Sequence, residues 1–311
     1  MTVGVASCSY VDVFLHFGDA FAEYAPELTI LPEEQIDDPE DVRFIVTFKP
    51  DDGLFDRFPN VDAVFSLGAG VDAILSCASL PEGLPVFRVN DSAQAAQMAG
   101  FATFHVLWHH RGMGRYLTNQ AQCVWDRPRD SRSPDIVRVG VMGFGQMGRA
   151  IAANLVHLGY DVACWSRRLP DAPEPGVTHF DFDQRNAFLK DCQILINVLP
   201  LTAQMTGILN ADLFAQLPKG ASLIQLGRGQ HLVDQDLLDA LDSGHLSGAS
   251  LDVFNTEPLP EDHPYWPHPN VVVTPHTACA PEVRTVVRSV QDGLAQIAAG
   301  RLPPDRRTRG Y

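Results

Sequence analysis

Short apolar runs alternate along nearly the whole chain with longer stretches in which apolar residues recur at helical spacing. A strand buried on both faces reads as a continuous apolar run and its crossover helix as a 3.6-residue stripe, so the alternation predicts parallel βαβ units. In the first part of the chain, strands are expected at 3–7, 28–31, 44–48, 63–67 and 86–89. A helix is expected from 92 to about 111, and the polar segment 119–134 after it, with two prolines, reads as a domain crossing. Beyond it, six strands at 137–142, 162–165, 194–199, 222–226, 248–251 and 271–274 match a doubly wound sheet. A last helix over 281–300 places Val283, Val287, Val290, Leu294 and Ile297 on one face, and a basic tail after Gly300 is expected at the surface. No internal repeat or low-complexity segment interrupts this order.

Length sharpens the picture: 311 residues suffice for two domains of about 150 each. Lys and Arg number 23 against 38 Asp and Glu, a net charge of −15 that phosphate backbones and anionic lipid would repel, so neither nucleic acid nor a membrane is an expected partner. With 45% hydrophobic and 20% charged residues, the chain is globular rather than disordered. Its six cysteines form neither a CxxC nor a metal-ligand cluster, so they read as reduced, mostly buried thiols with no metal. Met1 leads straight into a strand-like run without a basic leader, and no apolar run is long enough to span a bilayer; a cytoplasmic protein is the expectation.

Candidate chemistry begins at 137–148, VRVGVMGFGQMG, where a strand runs into Gly143, Gly145 and Gly148 and then into a helix with Met147, Ile151, Leu155 and Leu158 at helical spacing. The first glycine permits a tight turn, the second lets backbone approach a pyrophosphate, and the third lets helix pack on strand; the helix N-terminal amides, at Gln146 and Met147, hold the anion. A chance glycine turn is the competing reading. About 20 residues on, where an NAD site usually carries a carboxylate for the ribose 2′-hydroxyl, the chain has Ser166-Arg167-Arg168. A hydroxyl and two guanidiniums match a 2′-phosphate, so NADP(H) is preferred, with NAD(H) possible. The alternative is that the arginines form a solvated turn.

Further runs complete a pattern: LGAGVDAIL at 67–75, LIQLGRGQHLVDQDLLDAL at 223–241, LDVFNTEPLP at 251–260 and VVVTPHTA at 271–278. With the glycine fingerprint they resemble the D-isomer-specific 2-hydroxyacid dehydrogenases nearly end to end. Trp165-Ser166-Arg167, the VLPLTAQMTGILN run and the C-terminal Arg309-Gly310-Tyr311 are most similar to the family's glyoxylate- and hydroxypyruvate-reducing branch. The resemblance implies an α/β protein of two doubly wound parallel-sheet domains, Rossmann-like and flavodoxin-like, with a cleft between them. Closure over the reactants would make the substrate domain discontinuous, 1–100 plus 279–311, around a dinucleotide-binding domain at 101–278.

By the same resemblance Arg228 is the catalytic arginine, which also binds substrate, Glu257 is the acid and His276 is the proton donor, also lining the cofactor. The chemistry is consistent with those residue types. Reducing a 2-keto acid needs hydride at the carbonyl carbon, a proton at the developing alkoxide, and a cationic or amide-rich cradle for the carboxylate. An imidazolium favoured by a nearby carboxylate can give the proton, and a planar guanidinium can bind keto oxygen and carboxylate together. The Gly68-Ala69-Gly70 turn could offer an amide nest for the substrate carboxylate, Ala69 and Gly70 being the implied contacts; its competing reading is a plain tight turn. Asp252 is implied as a partner of the nicotinamide carboxamide or, equally, is a strand-end cap. Leu199, Pro200, Leu226 and Gly227 are implied as backbone lining the cofactor. Trp125 lies in a region that contacts a second subunit in the family, so a homodimer is expected; burial within its own chain is the alternative. Cys279, close to His276, reads as a packing thiol because no third group orients a Cys–His pair.

The chain departs from the family pattern at several places. Ala99-Gly100-Phe101 lacks the usual carboxylate and puts helix continuity in question. Met205 stands where PLTxxT would place a threonine, with Thr206 beside it, and Gln225 and Gly227 replace the commoner Asn and Ala before Arg228. Thr47-Phe48-Lys49 lacks an expected tryptophan, so the acceptor could be larger or more polar than glyoxylate. The expected activity is therefore NADPH-preferring reduction of a small 2-keto acid. A nicotinamide-sensing, corepressor-like module and reduction of a larger 2-keto acid are the alternatives, the intact Arg, Glu and His counting against the sensor. Formate oxidation would call for an amide in place of Glu257.

Overall fold

The computed structural model describes residues 2–9, 12–89, 92–127 and 132–303. Arg309-Gly310-Tyr311 and most of the expected basic tail lie outside them. The chain begins with β1 (Thr2–Ala6), α1 (Val13–Tyr24), β2 (Leu28–Pro32), β3 (Val42–Thr47), β4 (Ala63–Ser66), a one-turn α2 (Asp72–Leu75) and β5 (Val86–Phe87). Next come α3 (Ser92–Arg111) and α4 (Met113–Ala121). They are followed by β6 (Arg138–Met142), α5 (Gln146–His157), β7 (Asp161–Trp165), β8 (Val177–Phe180), α6 (Arg185–Leu189), β9 (Ile194–Asn197) and α7 (Ala211–Phe214). The chain closes with β10 (Ala221–Gln225), α8 (Asp234–Asp242), β11 (Leu246–Leu251), β12 (Val271–Val273) and α9 (Val283–Ala298). It divides into two compact units, Met1–Gln94 with Ala280–Tyr311, and Ala95–Cys279. No helix among the described residues is long and apolar enough to cross a membrane.

The first unit holds a five-stranded sheet in the order β2-β1-β3-β4-β5, every pair parallel. One face is covered by α1 and α9, whose Phe17, Phe21, Val286, Val287 and Val290 pack on Phe44 and Phe65. The Asp12 side chain accepts from the Leu15 amide and starts α1. Helix α9 approaches at Gly293, where a Cβ would fall 2.3 Å from the Phe65 ring. The helix keeps its expected setting apart from its first residue: Val286, Val287, Val290 and Gly293 are buried and Leu294 and Ile297 pack half-buried on the same core, whereas Val283 is 37% exposed.

The second unit holds seven parallel strands in the order β12-β11-β10-β9-β6-β7-β8. Six were expected. The seventh, β8, is a short, half-buried edge strand of sequence VTHF whose polar residues hide it from an apolar-run search. Strand order reverses between β6 and β9, the crevice at which open α/β sheets take ligands beyond their strand C-termini. Helix α3 runs unbroken through Gly100, which is exposed, because Met98, Ala99, Ala102 and Val106 on its other side are buried in the core of this unit. The crossing is not uniformly irregular: Gly112, left-handed at φ 61°, starts α4, none of whose residues is buried.

Candidate active site

Strand β6 delivers Gly143 at φ +105°, a conformation that favours glycine, and its amide donates to the Trp165 carbonyl at 2.8 Å. A Cβ on Gly148 would lie 1.9 Å from the Gly143 carbonyl oxygen, so the packing of α5 on this turn requires glycine. At Gly145 a Cβ would meet nothing within 4 Å. The backbone is thus open above the first turn of α5, where Gln146 is exposed and Met147 half-buried. An open glycine edge on a helix N-terminus suits a dinucleotide diphosphate. Beyond β7, the Ser166 hydroxyl donates to the Arg168 carbonyl at 2.7 Å, forming a turn on which Arg167 and Arg168 are exposed.

Three neighbouring strands bring the acid–base candidates to the same sheet edge. Past β11, Asp252 is 2% exposed and its carboxylate accepts from Thr274 Oγ1 at 2.7 Å and from the Thr277 and Ala278 amides at 2.9 Å each. Burial pushes its pKa upward against the pull of those three donors. This is the strand-end capping role: Asp252 fixes the turn in which His276 sits at φ +52° with its amide on the Asp252 carbonyl. The His276 Nδ1–H donates to Glu257 Oε2 at 2.9 Å, and Glu257 Oε1 accepts from the Phe254 amide at 3.1 Å. His276 and Glu257 keep 30% and 18% side-chain exposure, so the pair is reachable while the carboxylate is sheltered.

Past β10, Arg228 is half-buried and one guanidinium nitrogen donates to the Gly227 carbonyl at 2.8 Å. Its charge is felt at the 276–279 turn: burial raises the Cys279 thiol to about 11, and Arg228 acts in the opposite sense. A thiol held that high is a poor nucleophile, in keeping with a packing role. Leu199 and Pro200 follow β9, and Leu226 and Gly227 follow β10, so each strand-end turn expected to line the cofactor is at the sheet's C-terminal edge.

In the first unit, the Gly68–Gly70 turn follows β4. Its Gly68 amide donates to Ser66 Oγ at 3.2 Å and Ser66 Oγ donates to the Gly70 carbonyl at 2.7 Å, so the amides not committed to Ser66 are those of Ala69 and Gly70. Thr47, in the Thr47-Phe48-Lys49 stretch that lacks the expected tryptophan, is fully buried. Trp125 is 96% exposed, which excludes burial within its own chain. The thiols divide evenly: Cys77, Cys164 and Cys192 are buried, Cys8 and Cys279 are intermediate and Cys123 is exposed, fewer buried than expected. Met205 is buried and the neighbouring Thr206 hydroxyl donates to the Thr202 carbonyl at 3.3 Å.

Sequence reading passed over Asn197 and His231, and treated Gln225 only as a departure, although all three are fully buried at these strand ends. The signal was present for two of them, since ILIN and ASLIQ each end an apolar strand on an amide, and a buried amide needs partners. A lone histidine in GQH carries no such mark.

The family model for "D-isomer specific 2-hydroxyacid dehydrogenase, NAD binding domain" matches residues 103–278. A glyoxylate/hydroxypyruvate reductase A of Serratia proteamaculans is 40% identical over 286 residues, covering 88% of this chain and 90% of its own. Among solved structures, a D-isomer specific 2-hydroxyacid dehydrogenase of Xanthobacter autotrophicus in complex with NADPH and MES is 36% identical with a TM-score of 0.91, both chains covered in full. An NADPH-dependent glyoxylate/hydroxypyruvate reductase of Sinorhizobium meliloti, in complex with NADP and sulfate, is 32% identical with a TM-score of 0.92, again over all of both chains. The chain belongs to the D-isomer specific 2-hydroxyacid dehydrogenase family of NAD(P)-dependent oxidoreductases.

Proposed function

We propose that this enzyme reduces small 2-keto acids, glyoxylate and hydroxypyruvate first, with NADPH as the preferred reductant. The observation that carries the reading is the His276–Glu257 pair, 2.9 Å apart, beside the Arg228 turn at the C-terminal edge of a sheet that also bears the open glycine turn. NADPH supplies a hydride to the keto carbon when bound. Arg228 binds the substrate carboxylate and keto oxygen through its planar fork, and the Ala69 and Gly70 amides are further donors to the carboxylate. His276, charged and held by Glu257 through Nδ1, gives its Nε2 proton to the oxygen as the carbonyl becomes an alcohol, and is reprotonated from solvent. Glu257 remains a carboxylate and holds the ring through Nδ1 so that Nε2 faces the substrate oxygen. Arg167 and Arg168 meet the 2′-phosphate, and Asp252 fixes the His276 turn.

Relatives support the same choice of cofactor, since the Xanthobacter and Sinorhizobium structures carry NADPH and NADP. The proposed assembly is a homodimer. The deciding experiment is a panel of 2-keto acids, from glyoxylate to bulkier acceptors, each followed by absorbance with NADPH and with NADH. Glyoxylate or hydroxypyruvate with NADPH should give the highest kcat/KM; turnover confined to bulky acceptors would move the assignment to a larger 2-keto acid. Absence of turnover on every member, with NADPH still bound, would reject the enzymatic reading in favour of a nicotinamide sensor.

A further inference from the structure

Beneath the Arg228 turn lies a fully buried cluster of Asn197, Gln225 and His231, to which the chemistry above assigns no part. We infer that His231, as a neutral imidazole protonated on Nε2, is a positioning residue that ties the Arg228 turn to the Leu199–Pro200 turn and so sets where the guanidinium stands. The inference rests on Arg228 being the substrate-binding arginine.

Hydrogen-bond bookkeeping fixes the state of every group. Asn197 Oδ1 accepts from the Leu199 amide at 3.2 Å, which assigns the other end of that side chain as Nδ2. That nitrogen donates to Gln225 Oε1 at 2.7 Å and to His231 Nδ1 at 3.0 Å. The Arg228 amide also donates to His231 Nδ1, at 3.1 Å. With two donors aimed at it, Nδ1 is an acceptor and carries no proton. The ring proton is therefore on Nε2, which donates to the Pro200 carbonyl at 3.3 Å. Gln225 Oε1 takes the Gly227 amide at 3.2 Å and its Nε2 donates to the Arg228 carbonyl at 2.9 Å. Both main-chain polar groups of Arg228 thus end in this cluster. Gly227 leaves the imidazole its place, because a Cβ there would fall 2.7 Å from His231 Nδ1.

A cluster serving only the core would spread its bonds over many elements. Here the three side chains reach main-chain groups of 199, 200, 227 and 228, in the two turns that end β9 and β10. Losing the Nδ1 acceptor strands the Arg228 amide in a water-poor site, and the turn must move to satisfy it.

The test compares His231→Leu, which keeps bulk without an acceptor, with His231→Asn, whose Oδ1 can stand where Nδ1 stood. His231→Leu should lower kcat/KM for glyoxylate about 30-fold, with the fluorescence-measured Kd of NADPH changed less than about threefold, and His231→Asn should recover to within about fivefold of wild type. In an Arg228→Ala background, His231→Leu should cost less than about twofold more, because the side chain it positions is gone. Amide exchange over 226–229 should accelerate in His231→Leu and stay slow in His231→Asn. Should His231→Leu not fold, His231→Gln, whose polar end reaches the Nε2 position instead, takes its place with the same expected losses. Wild-type kcat/KM in the acceptor-less variant, full multiplication with Arg228→Ala, or unchanged exchange would each overturn the inference. A wild-type enzyme inactive on 2-keto acids, or an undiminished Arg228→Ala, would instead refute the proposed function, and the exchange measurement would still decide whether His231 holds the turn.

Discussion

Glu257 commits one carboxylate oxygen to the Phe254 amide and the other to His276 Nδ1, so it is oriented before any substrate arrives. Replacing it by glutamine keeps the size and removes the negative charge that faces the His276 ring. Glu257→Gln should lower kcat about 10–100-fold for glyoxylate while the Kd of NADPH stays within about twofold, measured by steady-state kinetics and fluorescence titration. An unchanged kcat would remove Glu257 from the proton-transfer scheme. On the opposite side of the cofactor fingerprint, Arg167 and Arg168 are exposed on a turn closed by the Ser166 hydroxyl. The double change Arg167→Ala, Arg168→Ala should weaken NADPH about 10–100-fold and NADH hardly at all, because only the former offers a dianionic 2′-phosphate. Equal weakening of both would return the arginines to a solvated turn.

At the scale of elements, what could be read from sequence follows how each element is buried. Strands β3, β6, β9 and β10 are sealed by protein on both faces and read as apolar runs, and α3 was legible to its ends despite Gly100. The edge strand β8, with half-exposed Val177 and His179, has no such run, and α4 buries nothing that would announce it. The catalytic candidates were legible by resemblance, but the bonds that orient them were not: a sequence does not show that Asp252 caps the His276 turn or that His231 accepts from Arg228. Helix α3 also buries two histidines one turn apart. His105, 2% exposed with no partner for Nδ1, and His109, hydrogen-bonded to Ser250, are each pushed down to about 4 by burial, His105's charge adding to the effect on His109. Their folded-state values lie below the ordinary 6.5 or so, so the unfolded chain takes up protons first as pH falls. Stability is full above about pH 6.5 and is lost as pH drops from there towards 4, by about 2 kcal/mol per histidine between pH 7 and pH 5. Urea unfolding at the two pH values checks this, and His105→Leu should remove about half of the slope. A slope untouched by that change would mean that His105 is protonated in the folded enzyme.

For the whole molecule, charge and exposed surface pull in opposite directions. A net charge of −15 opposes self-association, yet Phe104, Leu107, Leu117, Val124 and Trp125 stand 41–96% exposed along α3, α4 and the segment after them. Helix α4 has nine residues, none buried, and an isolated helix of that length is marginal in water. An apolar surface carried by such a helix gains most from a partner presenting the same surface, the self-complementary geometry of a two-fold dimer. The family resemblance implies a subunit contact in the same region, at Trp125, and the exposed surface is the observation that supports it. The enzyme should therefore elute with twice the chain mass in light scattering, and Leu117→Glu with Trp125→Glu should halve it by burying two carboxylates in an apolar contact. Mixed salt conditions separate the forces: screening weakens the repulsion between like-charged chains, so added salt should strengthen the wild-type dimer. A wild-type monomer at every salt concentration would leave α4 without a partner of its own kind and reject the dimer.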